Sequence, residues 1–407
     1  VQGRKVAAVV AAVGALAFVV LAVLLVPWDP VPGGPLHPPP ASSVFTTDQI
    51  DRAEDFAGLQ RIWSWSSLAV SLAVACVLGF SRLGAAFVDR VRGPWWWRAV
   101  VAVLALTLAG RVATLPFAVL LRRRVLAYGL SHQEWGAYAV DLAKGVAVEV
   151  VGTSIGIVVL VGVARRWPRA WPAVAGVLVA GLVMLGSFVY PLLVEPLFND
   201  FESLPDGPLR TQVLALADEE GVHVDDVLVT DASRRTTTLN AYVSGYGSSR
   251  RVVVYDNLLD GGSSVDDREV LSVVAHELGH ARHDDVLIGS LLGAAGALMG
   301  VGLLGLVLGR RGSGPADPRT VPRVLALVAL ASLLASPVQN GISRQIETRA
   351  DVDALEATGD PEAFVELQRD LALTSLADPT PYAWSHFWFG SHPTTLQRIA
   401  LARRFEE

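Results

Sequence analysis

Two histidines four residues apart, with a glutamate directly after the first, stand in the stretch VVAHELGHARHDD as His276, Glu277 and His280. On a helix, that spacing puts both imidazoles on one face, where they can share one tetrahedral zinc ion. Glu277 is then placed to take a proton from water that such an ion acidifies. The apolar residues of DDREVLSVVAHELGHARHDD recur at helical spacing, so a helix is expected here. Two imidazoles do not complete a site. His283, three after His280, could just reach the same face, although a solvated residue at a helix end needs no such role. A carboxylate is the better third ligand, and SRQIETRADVDAL offers Glu347 and Asp351 four apart on a second helical stretch. Glu347 would complete a His₂Glu set with one position left for water. Asp351 could orient one of the histidines. The competing account of that acidic pair is a solvated face shared with Arg344 and Arg349.

The elements that must position these residues are membrane elements. Of the 407 residues 52% are hydrophobic and only 18% charged, and the mean hydropathy is +0.44, values unusual for a soluble protein that suggest a membrane protein. Seven apolar runs are long enough to cross a bilayer: Val6–Pro27, Ile62–Phe80, Ala99–Leu121, Ala137–Ala164, Trp171–Val194, Val286–Leu308 and Val321–Val338. The first is expected to span rather than to be a cleaved signal peptide, because no A-x-A site follows it. After it, PWDPVPGGPLHPPPASS cannot continue a helix. Arg111, Asp141, Lys144 and Glu149 fall inside the runs, where they either pair internally or line a wet cavity. The chain therefore divides into residues 1–196 with five spans, a polar segment 197–285 carrying the HELGH helix, two further spans in 286–340, and a polar segment 341–407 that brings Glu347.

The net charge of −6, with no basic cluster interleaved with aromatics, excludes a nucleic-acid footprint. Cys76 is the sole cysteine, which excludes a disulfide framework and a cysteine metal site. Basic residues are distributed unevenly. Arg4, Lys5, Arg82, Arg90, Arg92, Arg98, Arg165, Arg166, Arg169, Arg310, Arg311, Arg319 and Arg323 fall at one set of span ends; Arg52, Arg61 and Arg122–Arg124 fall at the other. The positive-inside rule puts the first set in the cytoplasm and the catalytic segment outside it.

Within the polar segment, LNAYVSGYGSSRRVVVYDNLL reads as a β-hairpin with strands near Leu239–Ser244 and Arg251–Tyr255. Asn240 is either a strand residue able to meet an extended peptide by strand addition or a turn residue. His392, before Pro393, reads as a fixed loop residue; a donor or cation beside a metal would stabilise an oxyanion.

HELGH, SRQIETRAD after two further spans, and FGSHPTTLQRIA near the C-terminus together resemble the Ste24-type CAAX prenyl protease family of membrane zinc metalloproteases, peptidase family M48. YGLSHQEWGAYAVDLAKG, VEPLFNDFESLPDGPL and the hairpin extend the similarity over most of the chain. The resemblance implies a mainly α fold: seven transmembrane helices enclosing a chamber, with a small α+β zincin-like domain at its mouth. It implies that His276, His280 and Glu347 hold one Zn²⁺ per chain, that Glu277 is the general base, and that Asp351 is the acidic residue of the ExxxD element. It further implies that Asn240 hydrogen-bonds substrate backbone, and that His392 and Arg398 hold the substrate or polarise its carbonyl. The implied partners are the lipid bilayer and a membrane-associated peptide or protein, lipidated or otherwise hydrophobic. The eukaryotic family cuts isoprenylated CaaX proteins at a cytosolic site. This lysine-poor, arginine-rich composition is that of a GC-rich bacterial gene, for which such substrates are scarce, so fold and chemistry transfer better than substrate. Two other readings compete. A quality-control protease like the HtpX branch would have fewer spans before its catalytic segment. A zinc-binding scaffold or transporter would be free to lose Glu277 or Glu347, yet both are intact.

Overall fold

The computed structural model describes residues 2–245, 247, 250–259, 265–309 and 314–406. Arg310 and Arg311, counted above, lie outside the described residues. Six helices come first: α1 (Gln2–Leu25), α2 (Thr47–Phe80), α3 (Arg82–Arg90), α4 (Trp95–Ala127), α5 (Trp135–Arg166) and α6 (Trp171–Leu193). A mixed segment follows with β1 (Phe201–Ser203), α7 (Pro208–Glu219), β2 (Asp226–Thr230), β3 (Ala241–Ser244), β4 (Arg251–Tyr255) and α8 (Asp267–Arg282). The chain then continues through α9 (Asp285–Leu308), α10 (Val321–Thr358), α11 (Pro361–Ser375), α12 (Ala383–Phe389) and α13 (Thr395–Arg404).

Among the described residues, seven helices are long and apolar enough to cross a membrane: α1, α2, α4, α5, α6, α9 and α10. The two that most exceed their apolar runs are α2 and α10. The polar turns TDQIDRAEDFAGLQR extend α2 back to Thr47, started by a capping box in which Thr46 and Gln49 satisfy each other's backbone N–H groups. At the other end of the chain, α10 runs unbroken for 38 residues through Pro337 and on past Glu347 and Asp351. The seventh span and the acidic element are thus one rigid rod.

The spans pack as a ring, α9 on α6, α6 on α5, α5 on α4, α4 on α2 and α2 on α10, with α1 laid against α9 and α6. A solid bundle would bury a broad inward stripe of each helix. Only 6% of the apolar window of α2 and 0% of that of α6 is buried. So little burial is what the wall helices of a hollow chamber show. Arg111 on α4 pairs with Glu149 on α5, and the two side chains remain 51% and 43% exposed. A charged pair so exposed at span depth must face water rather than lipid.

The sheet has the order β1-β2-β4-β3. β1 pairs antiparallel with β2, β2 parallel with β4, and β4 antiparallel with β3 from Ala241 opposite Val254 to Ser244 opposite Arg251. The expected hairpin is present, its first strand beginning at Ala241. Val213 and Leu216 of α7, Val252 and Val254 of β4, Val274 and Leu278 of α8, Leu355 of α10, Phe364 of α11 and Leu401 of α13 form one buried core. That core ties the sheet, the HELGH helix and the end of the last span into one body.

Candidate metal centre

Helix α8 starts at a second capping box, Asp266 with Glu269. It buries Val270, Val273, Val274 and Leu278 in the core. The adjoining stripe presents His276, 6% exposed, and His280. Helix α10 packs directly on α8. Gly279 makes the approach possible: a Cβ there would meet the Asp353 side chain at 3.1 Å.

The approach delivers Glu347 to the two histidines. Nε2 of His276 and Nε2 of His280 lie 3.2 Å apart. Glu347 Oε2 is 3.3 Å from Nε2 of His276 and its Oε1 is 3.8 Å from Nε2 of His280. Atoms bound tetrahedrally to zinc at 2.0–2.1 Å stand about 3.3 Å from one another, so the three residues are spaced as a ligand set. Glu347 Oε2 is buried without a hydrogen bond among the described residues. A carboxylate oxygen left so between two imidazoles fits a divalent cation, which would satisfy all three groups together.

The charge pattern agrees. Burial disfavours a proton on His280, but the carboxylates of Asp285 and Glu347 outweigh it and push the imidazole up to about 10. His276 is raised for the same reason, burial being outweighed by Asp351 and Glu347. Carboxylates thus surround the two imidazoles. Glu277, half-buried one residue from His276, is raised chiefly by burial, in the direction a general base near neutrality requires.

The other predicted residues are placed as follows. Asp351 is fully buried, with Oδ1 2.9 Å from Nδ1 of His276. Arg398 grips both oxygens of Asp351, with Nε at 2.9 Å from Oδ2, and so reaches the centre through that carboxylate. His392 lies at the centre itself, its Nε2 3.3 Å from Glu347 Oε2, with the side chain 59% exposed. Asn240 is exposed immediately before the edge strand β3, and its carbonyl accepts from the N–H of Tyr255. β3 in turn packs against α8. His283 is not brought to the cluster: it caps α8 and turns its Nε2 to Asp353, 3.1 Å away. Of the two arginines that the competing account put on a solvated face, Arg344 donates to the carbonyls of His386 and Gly390, and Arg349 pairs with Asp285.

The segment leading to Asn240 is anchored on the spans. Asp141 of α5 accepts from Arg235 at 3.0 Å and from Gln133 at 2.7 Å. Lys144 donates to the Leu197 carbonyl. These in-span charges therefore tie the polar segment to the spans. Asp285, which sequence reasoning did not single out, lies 2.9 Å from Nδ1 of His280.

The sequence model of Peptidase family M48 matches residues 203–406, just over half of the chain. That of the CAAX prenyl protease N-terminal region, with five membrane helices, matches residues 38–200. The Bacillus subtilis protein named uncharacterized metalloprotease YhfN is 29% identical over 313 residues, covering 75% of this chain and 73% of its own. A CAAX prenyl protease 1 homolog of rice is 29% identical over 288 residues; the match covers 67% of this chain and 65%, just under two thirds, of the rice protein. Among solved structures, that of S. mikatae Ste24p superposes with a TM-score of 0.78 at 18% identity, covering 99% of both chains.

Proposed function

The chain belongs to peptidase family M48 and is a Ste24-like membrane metalloprotease; from that premise we propose that its centre is a single zinc ion held by His276, His280 and Glu347, and that it cuts peptides presented at the chamber mouth. The observation that carries this reading is the convergence of one ligand atom each from His276, His280 and Glu347, all within 4.8 Å of one another. Two imidazoles and a carboxylate suit zinc better than the hard all-oxygen cations.

Bound zinc would supply Lewis acidity toward water and toward the scissile carbonyl. The chain's own residues do the rest. Glu277 takes a proton from the water as the water adds to the carbonyl carbon, and returns that proton to the leaving amine as the C–N bond breaks. His392, exposed beside Glu347, faces the developing oxyanion. The free edge of β3 pairs with extended substrate backbone, and Asn240 adds a side-chain contact at its start. Asp351 fixes the tautomer of His276, and Arg398 fixes Asp351.

The substrate class we propose is membrane-associated and hydrophobic or lipidated. Two things support it: α10 carries Glu347 on the continuation of a span, and the rice relative is named a CAAX prenyl protease 1 homolog. Comparing peptides released by cells carrying wild type and Glu277→Gln tests this. Products confined to soluble, unstructured proteins would contradict it.

We place the catalytic face outside the cytoplasm. The span ends opposite that face carry most of the basic residues, Arg82, Arg90, Arg92, Arg98, Arg165 and Arg166 among them. Asp206, fully exposed on the catalytic side, gives a direct check. In a Cys76→Ser background, Asp206→Cys should react with an impermeant maleimide in intact cells; reaction only after lysis would reverse the orientation.

A further inference from the structure

His276 and His280 are each approached at Nδ1 by a carboxylate, from two directions. Nδ1 of His276 faces Asp351, and Arg398 grips that carboxylate. Nδ1 of His280 faces Asp285 at 2.9 Å, and Arg349 grips that carboxylate in turn. The second arm is as enclosed as a structural ion pair: the side chains of Asp285 and Arg349 are 8% and 16% exposed.

The chain makes a special turn to build this arm. On an unbroken helix the residue five beyond His280 would point roughly 140° away from it. Here α8 ends at Arg282, and Asp284 takes a left-handed conformation, φ 53°, rare for a residue with a side chain. Arg250 pairs with its carboxylate. The reversal starts α9 at Asp285 and turns that carboxylate back under His280.

We propose that Asp285, tethered by Arg349, is the positioning residue for His280. It accepts the Nδ1 hydrogen, which leaves the Nε2 lone pair directed at the point shared with His276 and Glu347. The proposal rests on the metal reading above. It gives spans six and seven a role beyond enclosing a chamber: the first residue of α9 supplies the carboxylate and α10 supplies its tether. The packing of two membrane helices therefore sets the direction of a ligand.

The test uses the full chain in detergent, stripped of metal and titrated with Zn²⁺ against a chromophoric chelator, with Co²⁺ absorption as a second readout. Asp285→Ala should lower Zn²⁺ affinity by about 10- to 100-fold and shift the Co²⁺ ligand-field bands. Asp285→Asn keeps an oxygen acceptor in place and should recover part of the affinity. Arg349→Gln should weaken binding in the same direction but less. If Asp285→Ala does not fold, the asparagine and glutamine variants carry the comparison. Zn²⁺ affinity and Co²⁺ spectrum unchanged from wild type in the folded variants would overturn the proposal. Wild type that binds no Zn²⁺, or His276→Ala that binds it as well as wild type, would instead overturn the metal reading beneath it.

Discussion

His276 and His280 each face two carboxylates, one on each ring nitrogen, and this crowding of negative charge makes single side chains separable by experiment. His392 stands beside Glu347 and is open to substrate, whereas Arg398 touches Asp351 alone of the site residues. His392→Ala should therefore keep its metal and lose about 10²-fold in turnover. Arg398→Ala should instead lose about 10- to 100-fold in metal affinity; chelator titration beside peptide kinetics separates the two. A third carboxyl reports on pH. Burial pushes Glu269 up to about 7, with Asp370, Asp266 and Glu366 adding to the rise. The folded state therefore holds this proton more tightly than the unfolded chain, whose carboxyl titrates near 4.5. Its contribution to stability is fully present below about pH 4.5 and is lost as pH rises through about 7. Glutamine keeps the capping box without the titration. Glu269→Gln should melt above wild type at pH 8 and level with it at pH 4.5.

Among the elements, α1 and α9 meet backbone to backbone: a Cβ on Gly302 would stand 2.3 Å from the Ala11 backbone nitrogen and one on Gly14 2.4 Å from that of Met299. Small residues let membrane helices meet backbone to backbone. Gly302→Val should force them apart and lower the melting temperature in detergent, while the same change at Gly296, with open space around it, should cost little. The spans themselves were legible, because an apolar run of some 20 residues has one physical use. Their ends were not: polar turns extend α2 by 15 residues before Ile62, since a helix leaving the bilayer no longer needs apolar side chains. HELGH and Glu347 were legible from residue type and spacing. Asp285 was not, because five residues past His280 is the wrong helical face, and only the left-handed turn at Asp284 brings it round. β1 and β2 were missed for a related reason. A three-residue strand carries no alternation to read, and the parallel pairing of β2 with β4 joins residues 25 apart in sequence.

At the scale of the whole molecule, the architecture explains why water chemistry sits against a lipid-length helix. The ring of spans is hollow, with the exposed Arg111–Glu149 pair at span depth marking water inside. The sheet, α8 and the end of α10 form a single core beside that ring. In the proposed reading, a hydrophobic segment would remain among the helices while its backbone lay along β3. The account stands or falls on the chemistry at that core. The decisive measurement is cleavage of a membrane-anchored reporter peptide by purified wild type and Glu277→Gln, with bound zinc quantified in the same samples. The account predicts one zinc per chain in both, cleavage by wild type that a chelator abolishes and Zn²⁺ restores, and a loss of several orders of magnitude in the variant. Cleavage that survives Glu277→Gln or chelation, or wild type that holds zinc and cuts nothing, would contradict it.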